Sequence, residues 1–232
     1  MANTSQKRKN KRAWTGGIIA LVALLIIAFI VSNQDKNIDP ASFANVETFD
    51  DSAHELGNEE SDIRLIEYSD FQCPACKAAE PTIKGLVETF GDQMVFEYRH
   101  FPLSSIHPNA TLAAQASEAA AIQGKFWEMH NALFEHQDAW AQSFNPEKYF
   151  IEYAKEIGLN VDRFRYDLDS QEVEDRVNAD AQEAQSLQLP GTPSFVYNGE
   201  IVELNDFINT HLDLSKVSVP ETAEETSEAT TQ

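Results

Sequence analysis

A chain of 232 residues with 42% hydrophobic side chains is long enough to bury one domain core and to carry appendages. Its formal charge of −21 is unevenly spread: Lys7, Arg8, Lys9, Lys11 and Arg12 are 5 of the 17 basic residues, and no acid precedes Asp35. So acidic a remainder, without a basic patch, would repel phosphates and excludes nucleic acid as a partner.

The first predicted element follows the basic segment 1–12. Residues 13–32 are twenty uncharged, mainly aliphatic positions, enough to cross a bilayer as a helix, and the positive charges before them place the N-terminus in the cytoplasm. A cleaved signal peptide would have a shorter apolar core followed at once by a small-x-small site; the nearest candidate, Ser42-Phe43-Ala44, is too far downstream. The expectation is an uncleaved single-pass anchor in the cell membrane with the remaining chain extracytoplasmic. Outside the cytoplasm a dithiol is not held reduced, and disulfide chemistry is open to it.

Residues 33–55 are polar and acidic and are expected to be a linker, with a folded domain over 56–212 and a disordered acidic tail over 213–232. Residues 63–68 predict a buried strand in which Glu67 is a carboxylate where both faces should be covered. It is either a buried acid beneath the sequence that follows or an ordinary ion pair.

That following sequence holds the only two cysteines, Cys73-Pro74-Ala75-Cys76. Pro74 has the fixed φ and missing N–H that suit a helix start, so Cys73 falls near the N-cap, where free amides and the helix dipole favour a thiolate. Cys76 lies one turn further in, within reach. A structural disulfide across so short a loop would stabilise little, and zinc needs four ligands where no second CxxC or His-x-His pair exists, so the pair points to redox chemistry, with no metal and no cofactor.

The helix is predicted to run to about residue 90 with Pro81 inside it, and 94–101 alternate as a second strand, parallel to the first because a helix joins them. From about 104 to 188 the period is helical. The segment 110–123 is alanine-rich, 124–137 carries Phe126, Met129, Leu133 and Phe134 on one face, Asn145-Pro146 is a cap, and Gly158 is a stop. Helices are also expected over 161–168 and 173–187. His107, His130 and His136 lie among these elements as satisfied or solvated side chains. Strand character returns with Thr192-Pro193-Ser194-Phe195, and Asn198-Gly199 predicts a tight hairpin before a closing helix over 203–212. Pro193 cannot donate to a sheet ladder and marks the strand's beginning.

Glu-Tyr-Ser-Asp-Phe-Gln-Cys-Pro-Ala-Cys, together with Leu-Pro-Gly-Thr-Pro-Ser-Phe about a hundred residues later, resembles the DsbA-like thiol-disulfide oxidoreductases, in particular membrane-tethered bacterial members. The resemblance implies an α/β thioredoxin-like fold, a central mixed sheet with a helical insertion. It also implies Cys73 as nucleophile, Cys76 as its resolving partner and Glu67 as the acid beneath them. Pro74, Ala75, Thr192 and Pro193 would form the substrate-binding surface, the last two as a cis-proline loop facing the sulfurs. Ala75 stands where strongly oxidising members carry a histidine. The implied activity is introduction of disulfides into thiol-containing exported proteins, with reoxidation by a quinone-linked membrane partner of the DsbB-like or VKOR-like kind. A reductase or isomerase of the same fold, and a tethered chaperone or binding module, are the alternatives.

Overall fold

The structure, a computed structural model, describes residues 54–216. The expected basic segment 1–12, the apolar span 13–32, nearly all of the linker 33–55 and the tail beyond 216 lie outside these residues. Among the described residues no helix is long and apolar enough to cross a membrane.

A five-stranded mixed sheet is the frame. Strand β2 (Arg64–Ser69) is central: it runs parallel to β3 (Val95–His100) and antiparallel to β4 (Ser194–Tyr197). Strand β1 (Glu55–Gly57) closes the β3 edge and β5 (Glu200–Val202) the β4 edge, both antiparallel. A parallel pair needs a crossover, and helix α1 (Pro74–Phe90) supplies it between β2 and β3. Side chains alternate along β2, so Leu65, Glu67 and Ser69 share the face covered by α1 and most of the insertion. Ile66 and Tyr68 share the other with Val196, Ala184 and Leu189. Glu67, opposite Tyr98 and Phe195, is therefore sealed from both sides.

The inward stripe of α1 is Cys76, Ile83, Leu86 and Phe90, and the helix ends where the Gly91 N–H bonds the Val87 carbonyl at 2.9 Å. Gly57 is required where β1 meets the following turn: its φ is +105°, and a Cβ there would lie 2.4 Å from the Met94 carbonyl oxygen.

The insertion comprises α2 (Ala110–Ala121), α3 (Phe126–Glu135), α4 (Gln137–Trp140), α5 (Glu147–Glu156), α6 (Val161–Leu168) and α7 (Gln171–Ser186). Ala113, Ala116, Ala119 and Ala120 of α2 are buried without residual exposure. Their small size lets α3, α6 and α7 pack against one helix. The Asn160 side chain caps α6 and Ser170 caps α7, accepting from Arg163 and Val173 amides. Helix α8 (Leu204–His211) closes the domain after the β4–β5 hairpin, whose Asn198 and Gly199 have φ of 50° and 80° as a type I′ turn requires.

The structure departs from the sequence reading in four places. His54 is buried and Glu55 opens β1, so the folded domain starts inside the expected linker. The helix expected over 124–137 breaks at His136 into α3 and α4. Asn145 does not cap: Pro146 takes the N-cap position without a side-chain hydrogen bond, and the Asn145 amide donates to Ser143 Oγ. Beyond 212, the Asp213 amide donates to Gln93 Oε1 at 2.8 Å and Leu214–Lys216 forms a 3₁₀ turn, so the ordered chain continues past the expected boundary.

Candidate active site

The β2–α1 junction holds both cysteines where the sequence places them. Cys73 is the N-cap residue of α1, with Pro74 at its first turn, and Cys76 is fully buried one turn in. Both are free thiols, and Pro74 and Ala75 are exposed beside them. The Thr192–Pro193 bond is cis, and the Thr192 carbonyl oxygen is 3.4 Å from Cys73 Sγ. Cys73, Cys76, Thr192 and Pro193 thus converge, and Glu67 lies beneath.

The two sulfurs are electrostatically unlike. The Cys73 thiol is brought down to about 5, chiefly because the Cys76 thiol donates to its thiolate. Burial opposes this, while the Thr192 hydroxyl and the Cys76 and Ala75 amides turned towards it assist. Cys76 is driven far up by the same hydrogen bond and by burial, with the Glu67 charge adding to it. At neutral pH Cys73 is the thiolate and Cys76 holds the proton.

Glu67 is fully buried, and among the described residues neither carboxyl oxygen has a hydrogen-bond partner; the Ser69 hydroxyl lies near without bonding geometry. Burial first, and then the charge of Glu80, raise it to about 8. No lysine or arginine pairs with it among the described residues, so of the two sequence readings the buried acid stands.

The loop that carries Cys73 is held by polar side chains that sequence spacing does not announce. Asp70 accepts from the Gln72 amide at 2.7 Å, the Leu103 amide at 2.9 Å and His107 Nδ1 at 2.7 Å. Gln72 reaches outward, donating to the Ala141 carbonyl and accepting from the Asn109 amide, both at 2.7 Å. Gln137 of α4 reaches inward, its amide nitrogen donating to the carbonyls of Phe71 at 2.7 Å and Cys73 at 3.0 Å. Both glutamines are nearly fully buried, so the insertion fixes the Cys73 backbone. Gln137→Leu leaves the buried Phe71 carbonyl unpaired, and a loss of about 1–3 kcal/mol is expected in chemical denaturation.

Among the described residues one group has metal-binding proximity: His54, His100 and Glu118, all buried, with ligand atoms within 4.8 Å of one another. Glu118 Oε1 is 3.1 Å from His54 Nε2 and 2.7 Å from His100 Nε2. Burial alone would raise Glu118, yet the two histidines hold it down at about 2. The surroundings do not suit a metal. Arg176, which can only donate, lies 3.2 Å from His54 Nδ1, so Nε2 carries the ring proton towards Glu118, and His100 Nδ1 meets no carboxylate or carbonyl to accept a proton from it. The cluster ties the entry to β1, the end of β3 and α2 together, through the His100–Glu118 hydrogen bond and the close approach of His54 to the same carboxylate oxygen. Of the other histidines, His107 serves Asp70, His130 is buried among aromatic rings, and His136 stacks on Tyr153.

A helix-start dithiol with one activated sulfur, a buried acid and a facing cis-proline loop on a mixed sheet defines the class of thioredoxin-fold dithiol proteins. The Thioredoxin_4 (thioredoxin) family model matches residues 50–212, and the chain belongs to that family. The fold recurs in a thioredoxin-like oxidoreductase from Silicibacter pomeroyi DSS-3, with TM-score 0.56, 28% identity and coverage of 69% of this chain and 94% of that one. It recurs in the thiol-disulfide exchange protein alpha-DsbA2 from Wolbachia pipientis, with TM-score 0.57, 22% identity and coverage of 67% and 83%. BdbD from Bacillus subtilis gives TM-score 0.56, 23% identity and coverage of 68% and 88%. The DsbA-like resemblance carried by the two motifs is thus matched by the fold. In sequence the chain is also similar to Na(+)/H(+) antiporter NhaA 1 of Mycolicibacterium vanbaalenii, 40% identical over 153 residues, 64% of this chain and 24% of that protein. The chain spans about a quarter of the length of such relatives.

Proposed function

We propose that the chain is an extracytoplasmic thiol-disulfide oxidoreductase that introduces disulfides into exported proteins through Cys73 and Cys76. The observation that carries this reading is the placement of the two sulfurs, Cys73 at the helix N-cap against the cis-proline loop and Cys76 sealed one turn behind it, an arrangement that favours a Cys73 thiolate and a protonated Cys76. A stabilised Cys73 thiolate makes the reduced form favourable and Cys73 a good leaving group, and both favour a disulfide donor. In the oxidised form a client thiolate attacks Cys73 Sγ, the Cys73–Cys76 bond breaks, and Cys76 leaves with the electron pair and takes a proton. The client's second thiolate then attacks the client sulfur of the mixed disulfide and expels Cys73 as thiolate. Two electrons pass from client to enzyme. The Thr192 carbonyl can accept from a client amide while the client sulfur sits on Cys73, adding the client as an extended strand with little sequence preference.

The sequence before the domain supports an extracytoplasmic placement, because its basic residues and uncharged segment 13–32 have the make-up of a signal anchor. A tether in that bilayer would keep the domain near a quinone-linked reoxidant of the DsbB-like or VKOR-like kind. Equilibration of the full chain against glutathione buffers tests the direction. A potential above about −180 mV is expected of a donor; one near that of thioredoxin, about −270 mV, would assign the chain to reduction or isomerisation instead.

A further inference from the structure

Asp70 opens the turn that carries the dithiol, yet the exchange steps leave it and its partner His107 without a role. Its carbonyl accepts from the Cys73 amide at 2.9 Å, closing the turn Asp70-Phe71-Gln72-Cys73 that presents Cys73 as the helix N-cap. Cys76 is driven far up by its hydrogen bond to Cys73 and by burial, and the Asp70 amide, turned towards the Cys76 sulfur, works the other way. The backbone of one residue thus faces both cysteines.

The Asp70 carboxylate is fully buried, and a buried charge needs its donors. Two are the Gln72 and Leu103 amides; the third, His107 Nδ1 at 2.7 Å, is the only side-chain donor to it among the described residues. His107 is itself braced. Its amide and that of Ile106 donate to the Leu103 carbonyl, both at 2.9 Å, and its carbonyl accepts from the Ala110 amide at 3.1 Å. Two residues on, the Asn109 amide donates to Gln72 Oε1 at 2.7 Å. The segment 103–109 therefore grips the turn at three points, and the His107 ring, 17% exposed, is the only side chain among them.

We propose that His107 is a positioning residue of the dithiol, holding the Asp70 carboxylate so that the Asp70 amide stays aimed at Cys76 and the Asp70 carbonyl stays bonded to Cys73. The inference rests on the exchange chemistry proposed above and adds a residue that sets its ease. When a client thiolate bonds to Cys73 Sγ and the Cys73–Cys76 bond breaks, the electron pair goes to Cys76. The Asp70 N–H is then an oriented donor, in place for that thiolate before it takes its proton. The Cys73 thiolate, held chiefly by the Cys76 thiol and in part by the Cys76 and Ala75 amides, depends on the same turn. A loosened turn slows the departure of Cys76 and weakens the Cys73 thiolate, and the pair becomes a poorer oxidant.

The test equilibrates the full chain against glutathione buffers and follows the pH dependence of Cys73 alkylation. His107→Leu removes the donor; His107→Asn keeps one, because asparagine carries its amide nitrogen in the place of Nδ1. His107→Leu is expected to shift the equilibrium at least about threefold towards the oxidised pair and to move the Cys73 inflection up from near pH 5, while His107→Asn restores both. A merely structural tie would lower the melting temperature of His107→Leu and leave both readings unmoved, and that result overturns the proposal. So does a His107→Asn chain as impaired as His107→Leu. Where His107→Leu fails to fold, the unaltered chain decides: the ring nitrogen resonances of His107 are expected to differ between the dithiol and disulfide forms, and identical resonances overturn the proposal. A pair that forms no disulfide with glutathione disulfide refutes the functional reading itself, whereas normal exchange indifferent to His107 refutes only the positioning role.

Discussion

Cys73→Ser is expected to abolish the proposed dithiol oxidation, and Cys76→Ala instead to accumulate mixed disulfides on Cys73 when supplied with glutathione disulfide. The difference follows from the positions of the two sulfurs. Cys73 is the N-cap residue, next to the exposed Pro74 and Ala75, and a client sulfur can reach it; Cys76 is fully buried and can only be reached by Cys73. Serine oxygen forms no disulfide, so the first variant loses the step outright. In the second variant the Cys73 thiolate still attacks a disulfide, but no resolving thiol stands behind it, and the adduct persists to be counted by intact mass. Removing Cys76 also removes the strongest stabiliser of the Cys73 thiolate, its hydrogen bond. Alkylation of Cys73 in the reduced wild type is expected to inflect near pH 5, and in Cys76→Ala at a higher pH. An active Cys73→Ser variant, or an inflection that does not move, contradicts the assigned roles.

The parts of this site that were legible in the sequence are those whose chemistry is local. Cys73, Pro74 and Cys76 define a helix start by spacing alone, Gly158 and Asn198-Gly199 mark a stop and a turn by backbone preference, and Pro193 marks a strand's beginning. Glu67 was visible as a charge inside an apolar strand, but whether it was paired depended on what the fold brings opposite it, and that is Tyr98 and Phe195 rather than a cation. The rest depends on long-range encounters. Gln72 reaches from the loop, and Gln137 into it, across more than sixty residues of sequence, and nothing in their neighbours distinguishes them from surface glutamines. His54 belonged by composition to a polar linker; it is buried because it packs on Phe126 at 4.0 Å between ring centroids and reaches Glu118.

Glu67→Met is expected to stabilise the domain at neutral pH while slowing disulfide exchange. The carboxyl titrates at about 8 in the fold against 4.5 in its ordinary state, so folding raises its pKa. Below about pH 4.5 both folded and unfolded chains hold the proton and the group is neutral to stability. As the pH rises towards 8 the unfolded chain gives the proton up and the folded chain does not, and the stability lost through Glu67 grows. At pH 7 this amounts to about 3 kcal/mol, at 1.36 kcal/mol for each pKa unit, and methionine fills much the same space without a charge. For a chain of this size the gain corresponds to a rise in Tm on the order of 10 °C at pH 7, fading to nothing near pH 4. A Glu67→Met variant no more stable than wild type at pH 7, or equally stabilised at pH 4, would place the carboxyl in a solvated setting. The same variant should release Cys76 more slowly, because the thiolate expelled from the disulfide then finds no proton donor beneath it. On the proposed reading, the unpaired acid in the central strand has a use: Cys76, high in pKa and sealed from water, needs a proton at the moment its bond to Cys73 breaks.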